Sequence, residues 1–272
     1  MTTDRRTVLA AALAIAATVP AWADAARVFT PEEFGAAGDG RTNDSLAMAR
    51  LAAAVNLYGG GTVVFRKTTY LVGAQGLGTG SYLFPPQELL AFKGCRLPLE
   101  LRGNGARLLC APGLRYGVFD TEGQPARHAM PYLGPGLATP YRAMVSAEQC
   151  LAAVRIADLE LAGCTDQLVI GGQYGDTGWQ IPGGGLYLRD NLGSEVIERV
   201  HAYHHPQDGV QINGIDADTP GAVRTMSDVV ADANGRQGLS LVGGRGWRFS
   251  RCSFTRSGRG KVASAPGAGV DI

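Results

Sequence analysis

Three of the four histidines in this 272-residue chain, His201, His204 and His205, stand within five residues of one another, and Asp208 follows closely. Imidazole near its ordinary pKa takes or gives a proton at neutral pH, and a nearby carboxylate makes a second proton-transfer group. Tyr187 and Arg189 precede this run, Gln211 and Asn213 follow it, and Arg236 and Asp271 come later. The expected catalytic set is Asp208, His205, His204 and Tyr187. The expected binding set, suited to an oxygen-rich ligand, is Arg189, Gln211, Asn213, Arg236 and Asp271. A plainer reading stands beside it. The His204-His205-Pro206-Gln207-Asp208 run then forms a solvated turn, with Asp208 bonding local backbone. Arg189-Asp190 is then a surface pair that stabilises little.

A repeat must position these side chains. A phrase of glycine, large aliphatic, any residue, large aliphatic stands at Gly185-Leu186-Tyr187-Leu188, Gly209-Val210-Gln211-Ile212, Gly238-Leu239-Ser240-Leu241 and Gly269-Val270-Asp271-Ile272. The phrases are 24, 29 and 31 residues apart. Strand-like pieces fall between them: Val154-Arg155-Ile156, Leu159-Glu160-Leu161, Val196-Ile197 and Trp247-Arg248-Phe249. A period of a few tens of residues built on short strands marks a solenoid whose rungs bury alternate residues. With the aliphatics inward, Tyr187, Gln211, Ser240 and Asp271 form one outward column, and Arg189, Asn213 and Val242 the next. Regular rungs are expected over residues 150–272. Residues 76–149 are rich in proline and predict early rungs with long loops, with Gly113 to Pro140 one extended insertion.

The first unit, residues 27–75, reads differently. Val28-Phe29 open a strand, and Glu33-Phe34-Gly35-Ala36-Ala37-Gly38-Asp39-Gly40 turn the chain. Asn43 or Asp44 can cap a helix in which Met48, Leu51, Val55 and Tyr58 share a face. Gly59-Gly60-Gly61 stop it, and Thr62-Val63-Val64-Phe65 and Tyr70-Leu71-Val72 read as strands. Asp39 and Asp44 are expected in turn and cap roles rather than in catalysis.

This order of strand, Gly-Asp-Gly turn, amphipathic helix, triple glycine and strand, over about 45 residues, resembles the opening of the pectate-lyase-like superfamily, in particular its rhamnogalacturonase and epimerase-like members. Arg66-Lys67-Thr68-Thr69 departs from the family, which has a proline-glycine turn there. The resemblance implies an all-β, right-handed parallel β-helix whose N-terminal amphipathic helix caps the first coil. It also implies a polysaccharide substrate or ligand. Calcium is used by pectate lyases, and Asp271 is the residue that would take part here, although one aspartate is not a site. Against the polygalacturonase motifs, Asp208 fits the second aspartate of the paired-aspartate motif. Gly183-Gly184-Gly185 and Arg236-Gln237-Gly238-Leu239 stand where the other two motifs would be. The rungs Asp208-Gly209-Val210 and Asn234-Gly235-Arg236-Gln237-Gly238-Leu239 also resemble alginate epimerases and lyases, without their Asp-Pro-His-Glu motif. That chemistry removes a proton beside a carboxylate and needs a base, a donor and a neutralising cation. Tyr187, Arg189, His204, His205, Asp208 and Arg236 are the groups available for it. The expected function is action on a polysaccharide by lyase, epimerase or hydrolase chemistry. A non-catalytic glycan-binding or scaffold β-helix is the alternative.

The bulk properties narrow the classes. Net charge is +1, and falls to zero once Asp4, Arg5 and Arg6 are removed with a leader. A nucleic-acid binder normally carries a basic excess. The 39 glycines suit many tight turns, and the 45% hydrophobic content suits a substantial core. Five cysteines without Cys-x-x-Cys spacing argue against a zinc knuckle. A Cys150–Cys164 disulfide is one expectation. Small buried thiols in the core are the favoured one. Residues 1–23 read as a signal peptide: Arg5-Arg6, an apolar Val8 to Val19 too short to span a bilayer, and Ala21-Trp22-Ala23. The double arginine resembles a twin-arginine signal, so a periplasmic or secreted protein without a membrane span is expected. The chain stops within a rung at Ile272, so residues 27–272 are expected to form a β-helix truncated at its C-terminal end. Oligomeric state is not set by the sequence.

Overall fold

The structure is a computed structural model that describes residues 27–78, 82–126, 136–172, 181–214 and 219–272. The leader expected at 1–23 lies outside the described residues, as does the middle of the Gly113 to Pro140 segment.

The described residues wind through six stacked coils. Each places two short strand runs in a ten-stranded sheet and one strand in a six-stranded sheet. The first coil uses Gly61–Val64, Thr69–Val72 and Leu90–Lys93. The second uses Leu99–Cys110 and Ala143–Glu148, the third Val154–Ala162 and Gly184–Arg189, and the fourth Glu195–Tyr203 and Val210–Asn213. The fifth uses Arg224–Ser227, Val230–Asp232 and Leu239–Val242, and the sixth Trp247–Ser250, Ser253–Thr255 and Val270–Asp271. Every ladder joining successive coils is parallel. This is the strand stacking of a parallel β-helix.

Alternation decides the interior. Leu101, Ile156, Ile197 and Met226 are register partners on successive coils, and all are fully buried. Burying each such side chain stabilises the fold by about 1.5–3 kcal/mol. The ten-stranded sheet bends at one stacked position per coil, where Asn104, Asp158, Arg199, Asp228 and Arg251 all have φ between 50° and 58°. Asparagine and aspartate tolerate this left-handed backbone better than most residues. The two arginines are held outside by paired aspartates, Arg199 on Asp158 and Arg251 on Asp228, each with an Nε–Oδ1 distance of 2.6 Å.

The helix Ser45–Tyr58 packs Met48, Leu51 and Val55 into the core at the start of the coils. Tyr58, expected on the same face, is exposed instead. Gly59 ends the helix with φ 94°, a left-handed C-terminal residue. Leu90–Lys93 is the outermost strand of the six-stranded sheet. Its free edge meets Asn56, whose Nδ2 donates to the Ala91 carbonyl at 2.8 Å and whose Oδ1 accepts from the Lys93 amide at 2.9 Å. One side chain thus satisfies both kinds of backbone group that an unpaired strand presents. The turn before the helix is built by aspartates. Asp44 accepts from the Ala37 and Gly38 amides at 2.7 and 3.1 Å, and Asp39 from those of Arg41 and Thr42 at 2.8 and 2.7 Å.

Segments that leave the coils form a second, small layer. Tyr82–Phe84, Arg115–Val118, Leu137–Ala138 and Val169–Ile170 make a four-stranded sheet. Phe84, Phe119 and Ala138 pack a small cluster of their own there. The cysteines require a correction. Cys164 is bonded to Cys110, with Cα atoms 5.5 Å apart, and not to Cys150. Cys164 lies two residues beyond the end of the third coil's long strand and Cys110 is the last residue of the second's, so adjacent-coil stacking brings them together. Cys150 sits at another corner beside Cys95, and both are buried free thiols.

Candidate functional site

The six-stranded sheet carries its polar residues in register on one face, where Tyr187 and Gln211 are half-buried, Asp271 is exposed, and Ser146 and Ser240 are buried. Tyr187, Gln211, Ser240 and Asp271 are consecutive partners, and so are Arg189, Asn213 and Val242. Both columns continue backward, the first through Ser146 and Ala91, the second through Glu148 and Lys93. The repeated phrase did not reveal these earlier positions, because the strands at 90–93 and 143–148 lack its leading glycine. Their alternation of aliphatic and polar residues is the signal that would have found them.

The early part of this face is a groove of about 360 Å³. Lys93, Arg142 and Arg189 are its cations, Glu88 and Glu148 its carboxylates, and Tyr187, Gln207 and Gln211 line it further. Arg189 pairs with Glu148 at 2.8 Å and lies 3.8 Å from Asp190. The Tyr187 hydroxyl accepts from Asn213 Nδ2 at 3.1 Å, and Gln211 donates to Asn213 at 3.2 Å. Burial raises the Tyr187 phenol above its ordinary pKa, which keeps its proton on oxygen at neutral pH. With its lone pair engaged by Asn213, that proton is available to a ligand.

The expected catalytic set is not assembled here. His205 was expected in an exposed turn; it is fully buried. Its Nε2 lies 3.0 Å from the Leu161 carbonyl, which can only accept, so Nε2 carries the hydrogen. Its Nδ1 then accepts from the Tyr141 hydroxyl at 2.9 Å. Desolvation lowers its pKa to about 3. The ring passes over Gly185, where a Cβ would stand 2.6 Å from both Nε2 and the Gly209 carbonyl; the same approach of the next coil's glycine carbonyl recurs at Gly209 and Gly238, at 2.9 and 2.7 Å.

Asp208 is also fully buried, against the same expectation. Its carboxylate takes two hydrogen bonds from Arg236, the one from Nε at 2.7 Å. Burial pushes the carboxyl up, while Arg236 pulls it back. Arg236 is thereby committed to Asp208 rather than to the open groove. His204 has φ 55° and turns onto a different face, its ring set edge-on to Tyr203 at 5.2 Å. It lines a separate cleft, and the His201 ring lies tilted against Tyr203 with centroids 4.4 Å apart. Asp271, on the last strand, accepts from Gln237 Nε2. Tyr187, Arg189, Gln211 and Asn213 are therefore brought together, and Asp208, His205, His204 and Arg236 are drawn elsewhere.

No group of three or more His, Cys, Asp or Glu side chains among the described residues is arranged to hold a metal ion. Asp271 has Ser240 and Gln211 behind it rather than carboxylates, so the residues present do not fit a calcium site. No helix among the described residues is long and apolar enough to cross a membrane.

No family model and no curated protein matches the chain. Similar solved structures include the A-module of the mannuronan C-5 epimerase AlgE6 of Azotobacter vinelandii, at 18% identity and TM-score 0.45, over 83% of this chain and 56% of that one. The A-module of AlgE4 from the same organism is 15% identical, TM-score 0.37, over 83% and 71%. PfbA, a surface adhesin of Streptococcus pneumoniae, is 13% identical, TM-score 0.28, over 89% and 66%. The chain thus spans little more than half the length of the first of these. The fold rests on the strand pairing itself.

Proposed function

We propose that this chain is an exported, carbohydrate-active β-helix that binds an extended acidic polysaccharide along its six-stranded sheet. The observation that carries the reading is the register of outward polar side chains. A strand spacing of about 4.8 Å offers a polymer lying along the coil axis new hydrogen-bonding groups at successive rungs from Lys93 to Asn213. Arg142 is paired with Glu88 at 3.5 Å and Arg189 with Glu148 at 2.8 Å, which leaves Lys93 as the cation of the groove outside an ion pair among the described residues and favours sugars bearing carboxylates. The right-handed winding expected of parallel crossover connections belongs to the same reading, and the double-arginine leader supports export.

For a reaction, lyase or epimerase chemistry fits these groups best. Tyr187 donates a proton, Lys93 faces the substrate carboxylate, and Glu148 serves as base when the ligand draws Arg189 away from it. Non-catalytic binding is the second reading, and the burial of His205 and Asp208 favours it, since the one imidazole and carboxylate expected to work together cannot reach a ligand. The test is to assay purified protein on polygalacturonate, alginate and neutral glucans, following unsaturated products and deuterium exchange at the carbon beside the carboxylate. Turnover lost in Tyr187→Phe supports the enzyme. Binding to acidic polymers without turnover supports the second reading. No binding to any acidic polymer overturns both.

A further inference from the structure

We propose that the cleft on the opposite side of the corner, lined by Leu71, Leu109, Tyr203, His204 and Gln167, is a second binding site that takes a neutral sugar of one to three rings. It goes beyond the groove on the six-stranded sheet and does not depend on it. The cleft has a volume of about 470 Å³ and is distinct in its lining from that groove. That size is within the range of sites that enclose small ligands.

Its chemistry is that of an amphipathic ring. Leu71 and Leu109 are register partners on the first two coils, half-exposed on the outer surface, where the preceding outward pair, Thr69 and Arg107, is polar. With the Cys110–Cys164 disulfide they make an apolar floor. Tyr203 closes one side, its ring held by His201 and His204, and its hydroxyl donating to Glu160. The rim carries both donors and acceptors. The side chains of Asp166 and Gln167 are exposed and make no hydrogen bond among the described residues, and His204 offers an imidazole. A pyranose matches this arrangement, with C–H groups for the floor and hydroxyls that donate and accept at the rim.

The charges argue for a neutral ligand. Arg107 is already paired with Glu160 at 3.1 Å, leaving Asp166 and His204 as the ionisable groups not in an ion pair on this lining. No unpaired lysine or arginine among the described residues lines the cleft to balance an acidic sugar. The surrounding geometry is fixed rather than adaptable. The disulfide ties the second coil to the third beneath the cleft, and Lys261 Nζ reaches back from the last coil to the Leu168 carbonyl at 2.7 Å, behind the Asp166-Gln167 turn.

The test uses the full chain and isothermal titration or ligand-observed NMR with glucose, galactose, maltose, cellobiose and lactose, and with galacturonate and its dimer. At least one neutral sugar is expected to bind. Gln167→Ala, at an exposed position without side-chain partners, is expected to weaken it several-fold with an unchanged melting temperature. Leu109→Arg, which fills the floor, is expected to abolish it while circular dichroism stays β-rich. Arg189→Ala, in the other groove, is expected to leave it unchanged. Absence of binding to every neutral sugar overturns the proposal. So does preference for galacturonate, or a loss of neutral-sugar binding in Arg189→Ala with Gln167→Ala unaffected.

Discussion

The Nδ1 of His205 accepts a hydrogen bond from the Tyr141 hydroxyl at 2.9 Å, with both side chains fully buried. The Leu161 carbonyl on Nε2 fixes the neutral tautomer. A residue that reads as a candidate general base is therefore a bolt between coils.

This sets a pH dependence of stability. Desolvation lowers His205 in the folded state from the ordinary 6.5 to about 3. Between those values the unfolded chain binds a proton that the folded chain refuses, so stability rises with pH there. The contribution is complete above about pH 6.5 and is lost as pH falls towards 3, at no more than about 1.4 kcal/mol per pH unit. Thermal melts at a series of pH values should show this slope in the native chain and a shallower one in His205→Gln. Equal slopes would show that other groups carry the acid sensitivity.

Asp208 and Arg236 make a second prediction. Removing one partner of a buried pair leaves an uncompensated charge and costs about 3–5 kcal/mol. Asp208→Ala is expected to unfold at markedly lower denaturant concentration. The double variant Asp208→Leu with Arg236→Met should recover most of the loss. A double variant as unstable as the single would mean the pair matters for reasons other than charge compensation.

Tyr187→Phe tests the groove. It removes one hydroxyl and leaves the ring, so the fold should be unchanged to within about 0.5 kcal/mol, as for most surface substitutions. If the chain is an enzyme, kcat should fall about 10²–10⁴-fold, the usual contribution of a positioned acid, with little change in KM. Similar rates for both proteins would remove Tyr187 from the mechanism.

The cysteines give a covalent test. Non-reducing peptide mapping is expected to find Cys110 joined to Cys164, with Cys95, Cys150 and Cys252 as thiols. The bond closes a sequence separation of 54 residues, for which chain entropy gives a stabilisation of about 4 kcal/mol. Cys110→Ala with Cys164→Ala should lose about 2–5 kcal/mol.

Asn56→Ala probes the strand edge. Two backbone groups of Leu90–Lys93 lose their partner at once. A loss of about 2 kcal/mol is expected, and hydrogen exchange at the Lys93 amide should speed up while that at Val145, deeper in the same sheet, stays slow. Uniform acceleration across the sheet would point to global unfolding instead.

The sequence by itself determined the coil. A period-two alternation fixes which side chains face in, because a one-residue slip would put leucine and isoleucine in water. The outward columns from Tyr187 to Asp271 and from Arg189 to Val242 could therefore be read from spacing, as could the helix from Met48 to Val55. Corners obey no such rule. His204, His205 and Asp208 occupy turns between strands, where direction depends on local φ and on what the next coil leaves open. A left-handed φ sends His204 to the far face, while Gly185 opens the space that draws His205 inside. The partners of these residues are Tyr141, Leu161 and Arg236, the first two more than 40 residues away and the third 28. Cys164 likewise meets Cys110 only because one coil lies on another. Contacts across coils at corners are decided by stacking, and stacking exists only in the tertiary structure.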